Sequence, residues 1–129
     1  MKIEHVAVGH NSELEADMFF IELLGMKKTR SKSVPADLME KFFSVKREHT
    51  LLVYEYADLN FEVFITDDKS KASDMFTHCC LLIDNRDEFV DKASSMGYDV
   101  VKVPRDVSNG YYLFIRDSFH NIYEIKENM

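Results

Sequence analysis

Four residues, His5, Glu62, His78 and Glu124, stand in segments whose neighbours alternate as half-buried strands do. Each has the opposite parity to an apolar set: Val6 and Val8; Phe61, Val63 and Ile65; Cys79, Leu81 and Ile83; Tyr123 and Ile125. Successive side chains on a strand point to opposite faces. The apolar sets must pack on helices, so the four polar residues face the other, concave side of their sheet. Two imidazoles and two carboxylates form an N2O2 ligand set. It suits zinc, nickel, cobalt, manganese or ferrous iron and leaves room for water or substrate. Calcium, which prefers an all-oxygen shell, is a poor match. A single His or Glu on a strand is ordinarily hydrogen-bonded or solvated. A divalent-metal site is indicated by the joint pattern, two of each, alike in parity and repeated in order.

The elements that must position these residues run in two passes. The first opens with a strand over Lys2–Gly9 and a polar cap at Asn11-Ser12. A helix over Glu13–Leu24 follows, with Leu14, Ala16 or Asp17, Met18, Ile21 and Leu24 at helical spacing, closed by Gly25. A short strand over Met26–Ser31 comes next. Pro35-Ala36-Asp37 opens a short helix through Phe43. Strands over His49–Tyr56 and Asn60–Thr66 are joined by Ala57-Asp58-Leu59. The polar run DDKSKASD, Asp67–Asp74, has the composition of a linker. The second pass repeats the first: a strand over Phe76–Asp84, caps at Asn85 and Asp87, a helix over Arg86–Met96 closed by Gly97, then strands over Tyr98–Val103, Tyr111–Arg116 and Asn121–Lys126. The order is β-α-β-β-β twice, an α+β architecture. His5 lies 20 residues before Gly25, and His78 lies 19 before Gly97. The reading is a single domain over residues 1–129, with module 1 over about 1–66, a linker over about 67–75 and module 2 over about 76–129.

The chain has 129 residues, 46% of them hydrophobic, enough to bury a core without disulfides. Its formal net charge of -7 and lack of a Lys/Arg-rich run argue against nucleic acid or an anionic membrane surface as partner. The adjacent Cys79 and Cys80 point to opposite faces of a strand and read as free thiols in a reducing compartment. No long apolar run marks a secretion signal or a membrane span, so a cytoplasmic location is expected.

The segments MKIEHVAV, FFIELLGM, NFEVFIT, FTHCCLLID and NIYEIKE, in that order over nearly the whole chain, resemble the vicinal-oxygen-chelate superfamily. That superfamily includes glyoxalase I, methylmalonyl-CoA epimerase, fosfomycin-resistance enzymes, extradiol dioxygenases and bleomycin-binding proteins. IRDSFHNIYEI is similar to the family's Asp-Pro-Asp-Gly-Asn-x-x-Glu ending. It keeps Asp117, Asn121 and Glu124 and departs at Ser118, Phe119 and His120. The resemblance implies paired β-α-β-β-β modules in a curved, half-open barrel around one divalent metal. It also implies a homodimer in which His5 and Glu62 of one subunit meet His78 and Glu124 of the other. Glyoxalase I-like members carry His, Glu, His and Glu at these places. Epimerase-like members carry Gln in place of Glu62, and fosfomycin-resistance and dioxygenase members use only the equivalents of His5, His78 and Glu124. The Arg and Asn that bind glutathione in glyoxalase I are here Gly9 and Thr66, so the resemblance does not extend to those two glutathione-binding positions.

The implied function is a metal-dependent, glyoxalase I-like lyase or isomerase acting on a small oxygen-chelating molecule. The metal polarises two neighbouring oxygens and stabilises an enediolate. By resemblance Glu124 is the base and Glu62 its partner. An epimerase-like isomerase and a non-catalytic, bleomycin-resistance-like binding protein are the alternatives. Cys80 shares the parity of His78, though a small core residue is the simpler reading. Tyr54, Tyr56, Phe64, Tyr112 and Phe114 could line an apolar pocket or pack in the core. His10, His49 and His120 read as surface residues near strand ends. Lys32–Glu48 is a candidate lid or dimer contact.

Overall fold

A computed structural model describes residues 3–72, 76–105 and 110–128. The chain divides into two compact units, Met1–Lys71 and Ala72–Met129. The division falls inside the expected linker. The linker's first residues are tied to unit 1: Asp68 O accepts from Asn11 Nδ2 at 3.0 Å, and Asp67 pairs with Arg47. Residues 73–75 of that segment, and Lys2 of the first strand, lie outside the described residues.

Unit 1 starts with β1, Val6–His10, with His5 one residue ahead of it. Ser12 caps the next helix by accepting from Glu15 N at 3.2 Å. That helix, α1, is α-helical only over Glu13–Asp17 and continues as a π-helix over Met18–Leu23. This corrects the expectation of one α-helix through Leu24. The buried face is corrected too: Ala16, Phe19, Phe20 and Leu23 are inside, whereas Leu14 is 72% exposed and Ile21 37%. Two apolar sets compete in this segment, and the set with the adjacent phenylalanines wins because it buries more aromatic surface. The wider π turn, in which Leu24 N donates to Phe19 O at 3.0 Å, is compatible with both rings facing inward. Phe20 stacks on Tyr54 with centroids 4.8 Å apart and tilts against Phe61 at 5.0 Å. From N-cap to closing glycine, Ser12 to Gly25 spans 13 residues and Asn85 to Gly97 spans 12, so the π segment carries the extra residue of the first module. Gly25 takes φ +72°, where a side chain would be strained.

β2 runs over Lys27–Val34, three residues past the expected end, and α2 over Ala36–Phe43. β3, His49–Tyr56, and β4, Leu59–Ile65, form a hairpin through a two-residue turn, Ala57-Asp58. The strand order is β1-β4-β3-β2, with β1 parallel to β4 and the other pairs antiparallel. α1 and its extension pack on the face bearing Tyr54, Phe61 and Val63. α2 takes the opposite face, where Met39 packs with Val34, Leu51 and Phe64. Lys32–Glu48 thus contributes the end of β2 and a helix seated on its own sheet.

Among its described residues unit 2 repeats the plan without a counterpart of α2. β5 covers His78–Ile83, α3 Arg86–Ser95, β6 Asp99–Pro104, β7 Tyr111–Arg116 and β8 Ile122–Glu127. Asn85 caps α3, accepting from Glu88 N at 3.1 Å while its amide donates to the Glu88 carboxylate. The order is β5-β8-β7-β6, with β5 parallel to β8. Phe89, Ala93, Tyr98, Leu113, Ile115, Tyr123 and Ile125 form its buried interior. Each unit is an open four-stranded mixed sheet with β-α-β-β-β order, and together they give the α+β class. Among the described residues no helix is long and apolar enough to cross a membrane.

Candidate metal centre

In each unit the first and last strands are parallel neighbours, and that pairing brings one His beside one Glu. Ala7 registers with Glu62, so His5 lies two residues ahead of the position opposite Glu62. Cys80 registers with Glu124, and His78 lies two residues ahead of it. The offset is the same. His5 Nδ1 is 3.6 Å from Glu62 Oε2, and His78 Nε2 is 3.4 Å from Glu124 Oε2. The strand parity expected from sequence holds: Ala7 and Cys80 are exposed on the faces of these pairs, while Phe61, Val63, Leu81, Tyr123 and Ile125 are buried on the other side.

The two imidazoles are held differently. His78 Nδ1 lies 2.8 Å from Phe76 O, a contact in which Nδ1 donates, and this orients the ring with Nε2 toward Glu124. The ring also meets Phe114 edge-on, with centroids 5.6 Å apart. This is how a metal-ligating histidine is oriented. His5 instead turns Nδ1 to both Glu4 and Glu62, in contact with Glu4. The hydrogen bond to Glu4 raises its pKa above the ordinary histidine value. Burial opposes that rise, and Glu62 adds to it. Each pair offers one nitrogen and one carboxylate, donors that suit a borderline divalent ion. Among the described residues no three His, Cys, Asp or Glu side chains gather to hold a metal, so a pair alone is half a ligand set.

Cys80 is exposed and Cys79 half-buried, and both are free. Burial, with Cys80 alongside, pushes the Cys79 thiol to about 11. Burial and then Glu124 raise that of Cys80. Neither is an activated nucleophile. Of the aromatic candidates, Tyr54 belongs to the core, its hydroxyl donating to Asp17 at 2.7 Å. Phe64 packs under α2 with Phe43 at 5.3 Å, and Tyr56 and Tyr112 are exposed.

His10 corrects a sequence expectation. It is fully buried, and its Nδ1 accepts from Asn11 N at 2.9 Å and Ser12 N at 3.2 Å, bracing the entry to α1. The signal was present, since His10 shares parity with Val6 and Val8. His49 and His120 are half-buried. Asp117 was matched to a motif but given no role. It is 2% exposed and organises the β7–β8 turn. It accepts from Phe119 N, Asn121 N, Asn121 Nδ2 and Tyr123 Oη at 2.9–3.1 Å, holding β8 and Glu124 in register.

No protein-family model and no curated protein sequence matches the chain. Solved structures do. A glyoxalase family protein from Enterococcus faecalis has a TM-score of 0.74 at 18% identity, covering 98% of this chain and 97% of that one. A glyoxalase family protein from Bacillus cereus has 0.74 at 15%, covering 98% and 93%. A variant of the fosfomycin resistance protein FosX from Listeria monocytogenes, complexed with Mn(II) and 1S,2S-dihydroxypropylphosphonic acid, has 0.74 at 15%, covering 99% and 93%. The chain therefore has the fold of these glyoxalase family and fosfomycin resistance proteins.

Proposed function

We propose that this protein is a divalent-metal-dependent enzyme of the glyoxalase I-like kind, moving a proton within a small substrate that presents two neighbouring oxygens. The observation that carries the reading is the shared register offset of the two His–Glu pairs. A fold can repeat without repeating its polar residues, yet both modules put an imidazole and a carboxylate at equivalent places. His5 and Glu62 supply two ligands and His78 and Glu124 two more, joined across a homodimer. A bound divalent cation would polarise both substrate oxygens and acidify the adjacent C–H bond. Glu124, with its carboxylate beside His78, takes the proton from carbon and returns it to the neighbouring atom. Glu62 is its partner on the other module. The Phe76 carbonyl keeps the proton of His78 on Nδ1, away from the ligand nitrogen.

The test begins with metal content of the purified protein, then turnover of hemithioacetal and acyl-CoA substrates with Zn, Ni, Co, Mn or Fe(II). Mixing a His5→Ala/Glu62→Ala chain with a His78→Ala/Glu124→Ala chain examines the dimer. Cross-chain sites regain metal on mixing, because one site of each mixed dimer is intact; sites within single chains regain none. A protein that retains no metal yet binds a small molecule tightly would instead be a binding module.

A further inference from the structure

Residues opposite one another on adjacent strands share a face, so the registers map what surrounds each pair. In unit 2 the row Cys80–Glu124–Phe114–Val101 is flanked by the row His78–Ile122–Arg116–Asp99. Arg116 therefore shares the face of His78 and Glu124. Lys126, two residues beyond Glu124, stands on the other side of it with its Nζ 4.0 Å from the carboxylate. In unit 1 the corresponding places hold Glu55, opposite Asn60, and Phe64, two residues beyond Glu62. The repeat keeps the His–Glu pair but exchanges an acid for Arg116 and an aromatic ring for Lys126.

Arg116 is half-buried. Among the described residues its guanidinium makes no hydrogen bond or ion pair, although Asp99 registers opposite it on β6. A guanidinium that no protein acceptor occupies has its fork available for a bidentate anion. A third cation lies on this side of the sheet: Arg105 sits over the ring of Tyr112, 4.7 Å from its centre, and Tyr112 shares the parity of Phe114 and Arg116. In a chain of net charge -7 these cations set the second module's face apart.

We propose that Arg116, assisted by Lys126, determines substrate class by binding an anionic group of the molecule whose two oxygens the His–Glu pairs address. The substrate is then an oxygen-chelating carboxylate, phosphonate or phosphate. This rests on the metal-site reading. The probes are three hydroxamates with one chelating group: acetohydroxamate, with no further charge; malonate monohydroxamate, with a carboxylate; and phosphonoacetohydroxamate. Their binding to the Mn(II)-loaded protein is measured by calorimetry, with retained Mn(II) read after dialysis. The expected result is that at least one charged probe binds about tenfold more tightly than acetohydroxamate, and which one identifies the anion. Arg116→Gln should bring the charged probes down to the acetohydroxamate level. Arg116→Lys should restore part of the advantage, and Lys126→Gln should remove a smaller part, which also serves if Arg116→Gln does not fold. Equal binding of all three probes to a wild type that retains Mn(II) overturns the proposal, as does an equal loss of all three in Arg116→Gln. Failure to retain Mn(II) overturns the metal reading and this inference with it, and dialysis distinguishes that outcome.

Discussion

His78 and His5 reach their glutamates by different routes. His78 is the first residue of β5, with one ring nitrogen satisfied by a carbonyl and the other turned to Glu124. His5 precedes β1 and turns a single nitrogen toward two carboxylates, Glu4 and Glu62. On the proposed reading the second pair is already arranged as a ligand pair. The first must give up its contact with Glu4 or turn its ring before Nδ1 and Glu62 can serve one metal. The two modules share the register of the pair and differ in what surrounds it.

The sharpest way to break this comparison is to neutralise each carboxylate in turn. Glu124→Gln keeps an oxygen donor but no base, and turnover should fall about 10²–10⁴-fold. Glu62→Gln should be milder, since on the proposed reading Glu62 is not the base. Steady-state kinetics at matched metal occupancy decides, and equal losses would erase the distinction between the pairs. Next in size is the turn behind Glu124. Asp117→Ala removes a buried carboxylate that accepts from the Tyr123 hydroxyl, two turn amides and the Asn121 side chain, and should cost about 3 kcal/mol in urea unfolding. The first module's turn needs no such brace, so exposed Asp58→Ala should stay within about 0.5 kcal/mol.

Smaller effects sharpen the comparison. In metal-free protein, NMR titration should place His5 above the ordinary histidine value, and Glu4→Gln should lower it. The sign follows from linkage. A pKa raised on folding adds stability that is fully present below the unfolded value and lost as pH rises through the folded one. Metal competes with that same proton, so affinity at the first pair should fall as pH drops through the raised pKa, and Glu4→Gln should move the fall to lower pH. The smallest effect concerns Ala57, at φ +50° in the first position of a two-residue hairpin turn. Ala57→Gly should stabilise by about 0.5 kcal/mol, the relieved strain outweighing the extra chain entropy.

Strand parity made the face of the four candidate residues and both β-α-β-β-β passes legible, because alternation fixes which face a side chain takes. It would also have put His10 inside had β1 been carried one residue further. Residues 13–24 were not legible in the same way. They hold two overlapping apolar stripes, and Tyr54 and Phe61, distant in sequence, decide which goes inward. The seat of α2 on the Glu62 face was likewise hidden, since it depends on Met39 meeting Val34, Leu51 and Phe64. Arg116 was a strand-end cation until the register of β7 against β8 put it in the row of His78.

The parallel pairing of each module's first and last strands has a kinetic consequence. His5 and Glu62 are 57 residues apart in the chain, and His78 and Glu124 are 46 apart. No local turn can bring them together. Each pair forms only when its module has closed end to end, at the largest loop-closure cost within that module. A nascent or partly folded chain therefore offers scattered donors rather than a chelating pair, and capture of an ion would report that a module had finished folding.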